Sequence, residues 1–138
     1  MIDFNFEEID AIDIKLEEAE RWITQVIEKN NMNVGELTYI FCSDEYLLEI
    51  NKQYLQHDYF TDIITFNYCE GDTISGDLFI SVDTVLDNAK TFGVDYLTEL
   101  NRVIIHGVLH LIGFDDKCDE DQEEMTRQEN LSLELLNN

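Results

Sequence analysis

The segment from Asp95 to Asp116 constrains this chain more than any other. From Asp95 to about Ile112 the residues read as one long helix. Leu97, Leu100, Ile104, Val108 and Leu111 recur at helical spacing and form an apolar stripe. Glu99, Arg102, His106 and His110 fall on a second stripe of the same helix. Residues four apart on a helix lie one above the other, so His106 and His110 can present their imidazoles to one point. Gly113 follows three residues after His110, where a helix ends and the chain reverses. Asp115 and Asp116 come next, placed to swing back over the histidines. Two imidazoles, one carboxylate and an open fourth position is an arrangement used by catalytic zinc.

The third donor is read as Asp116 on register. Asp115 is then a supporting partner, and Cys118 is a softer rival donor. The residue after the first histidine is Gly107, where the H-E-x-x-H metalloproteases carry a glutamate base, so ordinary peptide hydrolysis is disfavoured. Glycine is a poor helix former, and its presence here predicts either a close approach by backbone or substrate or a helix–helix contact. The acidic run from Asp115 to Glu124 reads mostly as a solvated helix start, not a calcium loop.

The rest of the chain supplies the frame. Ile2 to Phe6 alternates as a short strand, and a helix follows from about Ala11 to Asn30, with Leu16, Ala19, Ile23, Val26 and Ile27 inward. Glu36 to Cys42 is a strand. Ser43 then caps a helix over Asp44 to Leu55, carrying Leu47, Leu48 and Ile50. Asp62 to Tyr68 and Asp77 to Val82 are strands joined by the turn-rich stretch Glu70 to Gly76, an antiparallel hairpin. Asp83 to Phe92 is a helix closed by Gly93. The last helix starts near Asp119, with Gln122 completing a capping box and Met125, Leu131 and Leu135 inward. The order β-α-β-α-β-β-α-α-α predicts an α/β (α+β) fold, a small mixed four-stranded sheet packed with about five helices. At 138 residues, residues 1–138 are expected to form a single domain.

Composition sets the limits. With 44% hydrophobic residues the chain can bury a core without disulfides, and three cysteines without a C-x-x-C are expected to be reduced thiols. No apolar run is long enough to span a bilayer, and the N-terminus lacks the pattern of a signal peptide; a cytoplasmic location without membrane association is expected. Eight Lys and Arg stand against 31 Asp and Glu, for a net charge of −23. A field of that sign repels nucleic acid at long range and removes the electrostatic part of non-specific binding.

Against that charge stands a resemblance. His106-Gly-Val-Leu-His110-Leu-Ile-Gly-Phe-Asp115 matches, position by position, the H-G-x-L-H-L-x-G-[YF]-D-H signature of the YbeY family of ribosomal-RNA maturation factors. Asn51-Lys52-Gln53-Tyr54, Asp58 and Thr61-Asp62-Ile63-Ile64-Thr65-Phe66 resemble its N-x-x-Y-R-x-x-D-x-P-T-D-V-L-S-F block, and Gly76-Asp77-Leu78-Phe79-Ile80 its G-D-I-x-I strand. The resemblance implies a zinc-dependent endoribonuclease specific for single strands. It would act in ribosomal RNA maturation and ribosome assembly and bind one zinc ion through three ligands. By position these are His106, His110 and Asp116, the last where the family carries histidine. Aspartate adds a negative charge, making a bound water less acidic and shifting preference toward harder ions. The family arginine after the tyrosine is Leu55, which cannot clamp a phosphate, and the proline before Thr61 is Phe60. Catalytic residues are therefore open, with His57 and Arg102 as candidates, and Lys52 is the candidate for RNA binding. Partners implied are single-stranded or ribosomal RNA and ribosomal proteins. The alternative function is a non-catalytic ribosome-assembly binding factor with a structural metal site.

Overall fold

The structure, a computed structural model, describes residues 1–10, 14–55 and 61–136. Four strands, β1 (Ile2–Glu7), β2 (Asn33–Cys42), β3 (Ile63–Asn67) and β4 (Thr73–Ser81), form one sheet in the order β1-β2-β4-β3. β1, β2 and β4 run parallel, and β3 pairs antiparallel with β4 at the edge. Five helices complete the described elements: α1 (Leu16–Lys29), α2 (Asp44–Leu55), α3 (Val82–Phe92), α4 (Tyr96–Ile112) and α5 (Asp119–Leu136). The element order and the mixed sheet are those expected from the sequence.

Strand alternation divides the structure into two unequal layers. Leu37, Tyr39 and Phe41 of β2 and Ile74, Leu78 and Ile80 of β4 face the main core, where they meet Trp22, Ile23 and Ile27 of α1 and Leu100, Ile104 and Val108 of α4. On the other face Cys42 and Ile64 meet Leu47 of α2, flanked by Phe66 and Phe79. Phe4 stacks on Tyr39 at 5.5 Å and Phe6 on Phe41 at 5.7 Å, so aromatic pairs tie the β1 edge to β2. The Tyr39 hydroxyl donates to the Ile104 carbonyl at 3.0 Å, fixing α4 against the sheet centre.

Several local expectations need correction. β2 starts at Asn33 and β4 at Thr73, because the two strand ends pair with each other, Asn33 opposite Thr73. The loop before β4 shrinks accordingly to the bridge between Glu70 and Thr73. Val82 opens α3 instead of ending a strand, since the Ser81 hydroxyl accepts from Thr84 N at 3.2 Å. Leu97 is 48% exposed, while Tyr96 and Glu99 of the same turn face inward. Leu131 is exposed too, and α5 buries Met125, Glu129 and Ser132 instead. Trp22, absent from the expected inward set, is buried and donates to the Ser132 carbonyl at 2.6 Å, pinning α5 to α1. The expected start of the first helix at Ala11 falls outside the described residues; the helix begins at Leu16. Among the described residues no helix is long and apolar enough to cross a membrane.

Candidate metal centre

α4 lies across β3 and β4, and Gly107 is what lets it lie so close. A Cβ at that position would stand 2.5 Å from Leu78 Cδ2 and 2.8 Å from Ile63 Cδ1. The glycine thus serves the contact between helix and sheet, not one with a second helix. Its flanking histidines are carried to the end of the sheet, at the edge strand.

Gly113, at φ 128°, ends α4, and its N–H donates to the carbonyls of Leu109 and His110 at 3.1 Å. The chain then doubles back and brings Asp116 over the histidines. Asp116 Oδ2 lies 3.4 Å from His110 Nε2 and 3.7 Å from His106 Nε2. The two imidazole rings sit 4.7 Å apart, nearly edge to face. The ligand-type atoms of all three residues lie within 4.8 Å of one another. Four donors placed 2.0–2.2 Å from zinc on a tetrahedron are separated by roughly 3.3–3.6 Å. The two nitrogen–carboxylate distances are close to that edge, so the donor set fits a zinc ion.

The bend itself is secured. Asp115 Oδ1 accepts from Asp116 N at 2.9 Å, and Gln122 Nε2 donates to the Asp116 carbonyl at 3.1 Å. Asp115 thus holds the backbone that presents Asp116. Among the described residues no capping-box bond to Gln122 Oε1 is seen; its amide NH2 group donates to the Asp116 carbonyl, and α5 begins with Gln122 N bonded to the Cys118 carbonyl. Cys118 is exposed and stands outside the three-residue cluster.

Behind the histidines lies a group of charges that sequence reading missed. Glu129 of α5 is buried, and its Oε2 lies 2.6 Å from His106 Nδ1. A carboxylate only accepts, so Nδ1 carries the hydrogen, and in the neutral ring Nε2 turns its lone pair toward Asp116 and His110. The other carboxylate oxygen takes Arg102 Nη1 at 3.1 Å, and Arg102 Nε stands 3.7 Å from the buried Glu99. Arg102 therefore clamps Glu129 from behind the site. Burial pulls the His106 pKa down, but the Glu129 hydrogen bond and the charges of Glu129, Asp116 and Asp62 outweigh it, leaving it raised. Burial pushes the Glu99 carboxyl up, with Arg102 opposing.

A cavity of about 480 Å³ opens over the cluster, lined by His106, His110 and Asp116 and by Thr61, Asp62, Thr65 and Asn67 from β3 and the turn before it. Burial raises the Asp62 pKa, against the lowering effect of His106 and two backbone hydrogen bonds. Asp62 also lines the small pocket behind His106, together with Glu99, Arg102 and Glu129. Lys52 is not among the lining residues; its ammonium is 3.7 Å from Glu49. His57 lies outside the described residues.

The comparisons with known proteins agree with this architecture. Residues 4–137 match the family model described as endoribonuclease YbeY. The endoribonuclease YbeY of Phocaeicola vulgatus is 55% identical over 136 residues, 99% of each chain. That of Bacteroides thetaiotaomicron is 52% identical over 134 residues, 97% of this chain and 98% of its own. The solution structure of TM1509 from Thermotoga maritima superposes with a TM-score of 0.74 at 28% identity, covering 99% of this chain and 89% of that one. The chain belongs to the endoribonuclease YbeY family.

Proposed function

We propose that this chain is a zinc-dependent, single-strand-specific endoribonuclease of ribosomal RNA maturation, working as one domain with His106, His110 and Asp116 as the metal ligands. One observation carries the ligand assignment: those three donors converge at the floor of a cavity while Glu129 fixes the tautomer of the first. A bound zinc ion supplies Lewis-acid activation of water and of a phosphoryl oxygen. The chain's own residues do the rest. His106 and His110 present neutral nitrogens from consecutive turns of α4. Asp116 closes the set from the bend and offsets part of the ion's charge. Glu129 and Arg102 keep the His106 ring from turning. Asp62, on the cavity wall, is the carboxylate placed to hold a proton during cleavage, and its burial keeps it receptive nearer neutral pH than an exposed aspartate.

The substrate is RNA, and the setting we propose is the cytoplasm, where ribosomal proteins act as partners in assembly. A second reading, a non-catalytic assembly factor with a structural metal, draws on two features. The net charge of −23 repels RNA, and Leu55 stands where the family pattern has arginine. One experiment separates them. Zinc-loaded protein, chelated protein and the His110→Ala variant are each incubated with single-stranded RNA. Cleavage by the loaded protein alone is expected. Cleavage that persists in the variant would remove the metal from the mechanism, and no cleavage with any divalent metal would favour the assembly factor.

A further inference from the structure

RNA must be held near this cavity with little help from positive charge. The described residues lining it include no lysine or arginine, and Arg102 is held by Glu129 and Glu99. What the structure offers instead is aromatic surface. Among the described residues three aromatic rings are exposed: Tyr54, Tyr68 and Phe92, at 64%, 57% and 63%. Two of the three meet at β3, the strand that walls the metal cavity.

Their placement follows from strand alternation. Thr65 and Asn67 point toward α4 and line the cavity. Phe66, between them, points to the opposite face and packs with the α2 cluster. Tyr54, in the last turn of α2, stands edge to face on Phe66 with centroids 5.8 Å apart. Tyr68 follows Asn67 and lies beside Asp77, the residue opposite Phe66 in the ladder. Phe66 thus holds the Tyr54 ring from behind, and most of the surface of both tyrosines faces water. β3 is also the last strand of the sheet. A single strand can pass over its outer edge, from the tyrosines on one face to the metal cavity on the other.

We propose that Tyr54 and Tyr68 form a stacking platform for unpaired bases of the RNA strand whose backbone enters the metal cavity. This rests on the endoribonuclease reading above and extends it to substrate binding. Every base has a π-face, so stacking is tolerant of sequence and insensitive to the sign of the protein's charge. It requires unstacked, single-stranded substrate, since paired bases cannot leave the duplex to lie on a tyrosine.

The test is fluorescence anisotropy of a labelled ten-nucleotide single-stranded RNA on the full chain, with and without zinc. Tyr54→Ala and Tyr68→Ala are each expected to weaken binding roughly 5- to 150-fold. Tyr54→Phe keeps the ring and should bind like wild type, and Phe92→Ala should bind like wild type as well. Zinc stoichiometry and circular dichroism of the alanine variants should not change, which separates loss of a platform from loss of fold. Raising salt should leave wild-type binding nearly unchanged or tighten it slightly, because screening weakens the repulsion by the acidic chain, unlike the loss expected of a phosphate-clamping protein. If wild type binds RNA and both alanine variants bind equally well, the platform is overturned and the nuclease reading stands. If wild type neither binds nor cleaves single-stranded RNA, both fall.

Discussion

Replacing Glu129 with alanine probes how the metal centre is built without touching a ligand. In the structure Glu129 takes the His106 Nδ1 hydrogen at 2.6 Å and Arg102 at 3.1 Å. Without it the ring can rotate or change tautomer, and Nε2 loses the electron donation that a carboxylate partner provides. Such outer partners are worth roughly 10- to 100-fold in metal affinity, or about 1.4–2.7 kcal/mol. Zinc affinity, measured by competition with a chromophoric chelator at pH 8, should fall by that factor. Glu129→Gln should lie between. Its amide can turn an oxygen to His106, but only by turning its NH2 group against Arg102. The pH dependence has a defined sign. Glu129 helps raise the His106 pKa, so in wild type protons compete with zinc up to a higher pH than in the variant. The affinity gap should therefore be widest at alkaline pH and narrow as pH falls. Linkage adds a check on the metal-free protein. A raised histidine pKa stabilises the fold fully below its ordinary value near 6.5, and that contribution fades as pH rises through the raised value. The alanine variant should lose more stability in acid than in base through this route. Zinc affinity within about 3-fold of wild type at pH 8 would mean Glu129 does not position His106.

Other substitutions test the remaining parts. Asp116→His restores the neutral donor of the family pattern; it should keep one metal per chain and raise the zinc-over-manganese preference, read by competition between the two ions. Leu55→Arg should tighten single-stranded RNA and steepen its salt dependence by roughly 0.7 in log–log slope, checked by anisotropy at several salt concentrations. Gly107→Ala gains about 1 kcal/mol of helix propensity but forces a methyl against buried Leu78, at a cost of about 1–3 kcal/mol. Net destabilisation in chemical denaturation is expected, and a more stable variant would mean the helix can lift from the sheet at no cost.

The legible parts of this chain were those with strong periodicity. The stripe through Leu100, Ile104 and Val108, and the i, i+4 histidines beside it, located α4 and its two imidazoles, and Gly113 located the reversal that returns Asp116. The boundaries of β2 and β4 were hidden because Asn33 and Thr73 become strand by pairing with each other across a long separation, which local propensity does not encode. Glu129 was hidden for another reason. It sits in a helix crowded with acidic residues, where one more glutamate reads as solvent-facing. The available signal was phase: Glu129 lies four residues after the inward Met125 and three before the buried Ser132. Arg102 stands one turn before His106 in the sequence and suggests a cation for substrate or catalysis; Glu99 is visible one turn before it, but Glu129, 27 residues on, is not legible as its partner. Thr65 and Asn67 are ordinary strand residues until β3 is seen to wall the cavity.

Metal stoichiometry measured by elemental analysis on protein reconstituted with zinc and freed of excess tests the convergence of donors on one ion. One zinc per chain is expected for wild type, and none retained by His110→Ala or Asp116→Ala. A wild type that holds no zinc, or variants that hold as much as wild type, would contradict the assignment of His106, His110 and Asp116 as a single coordinating set.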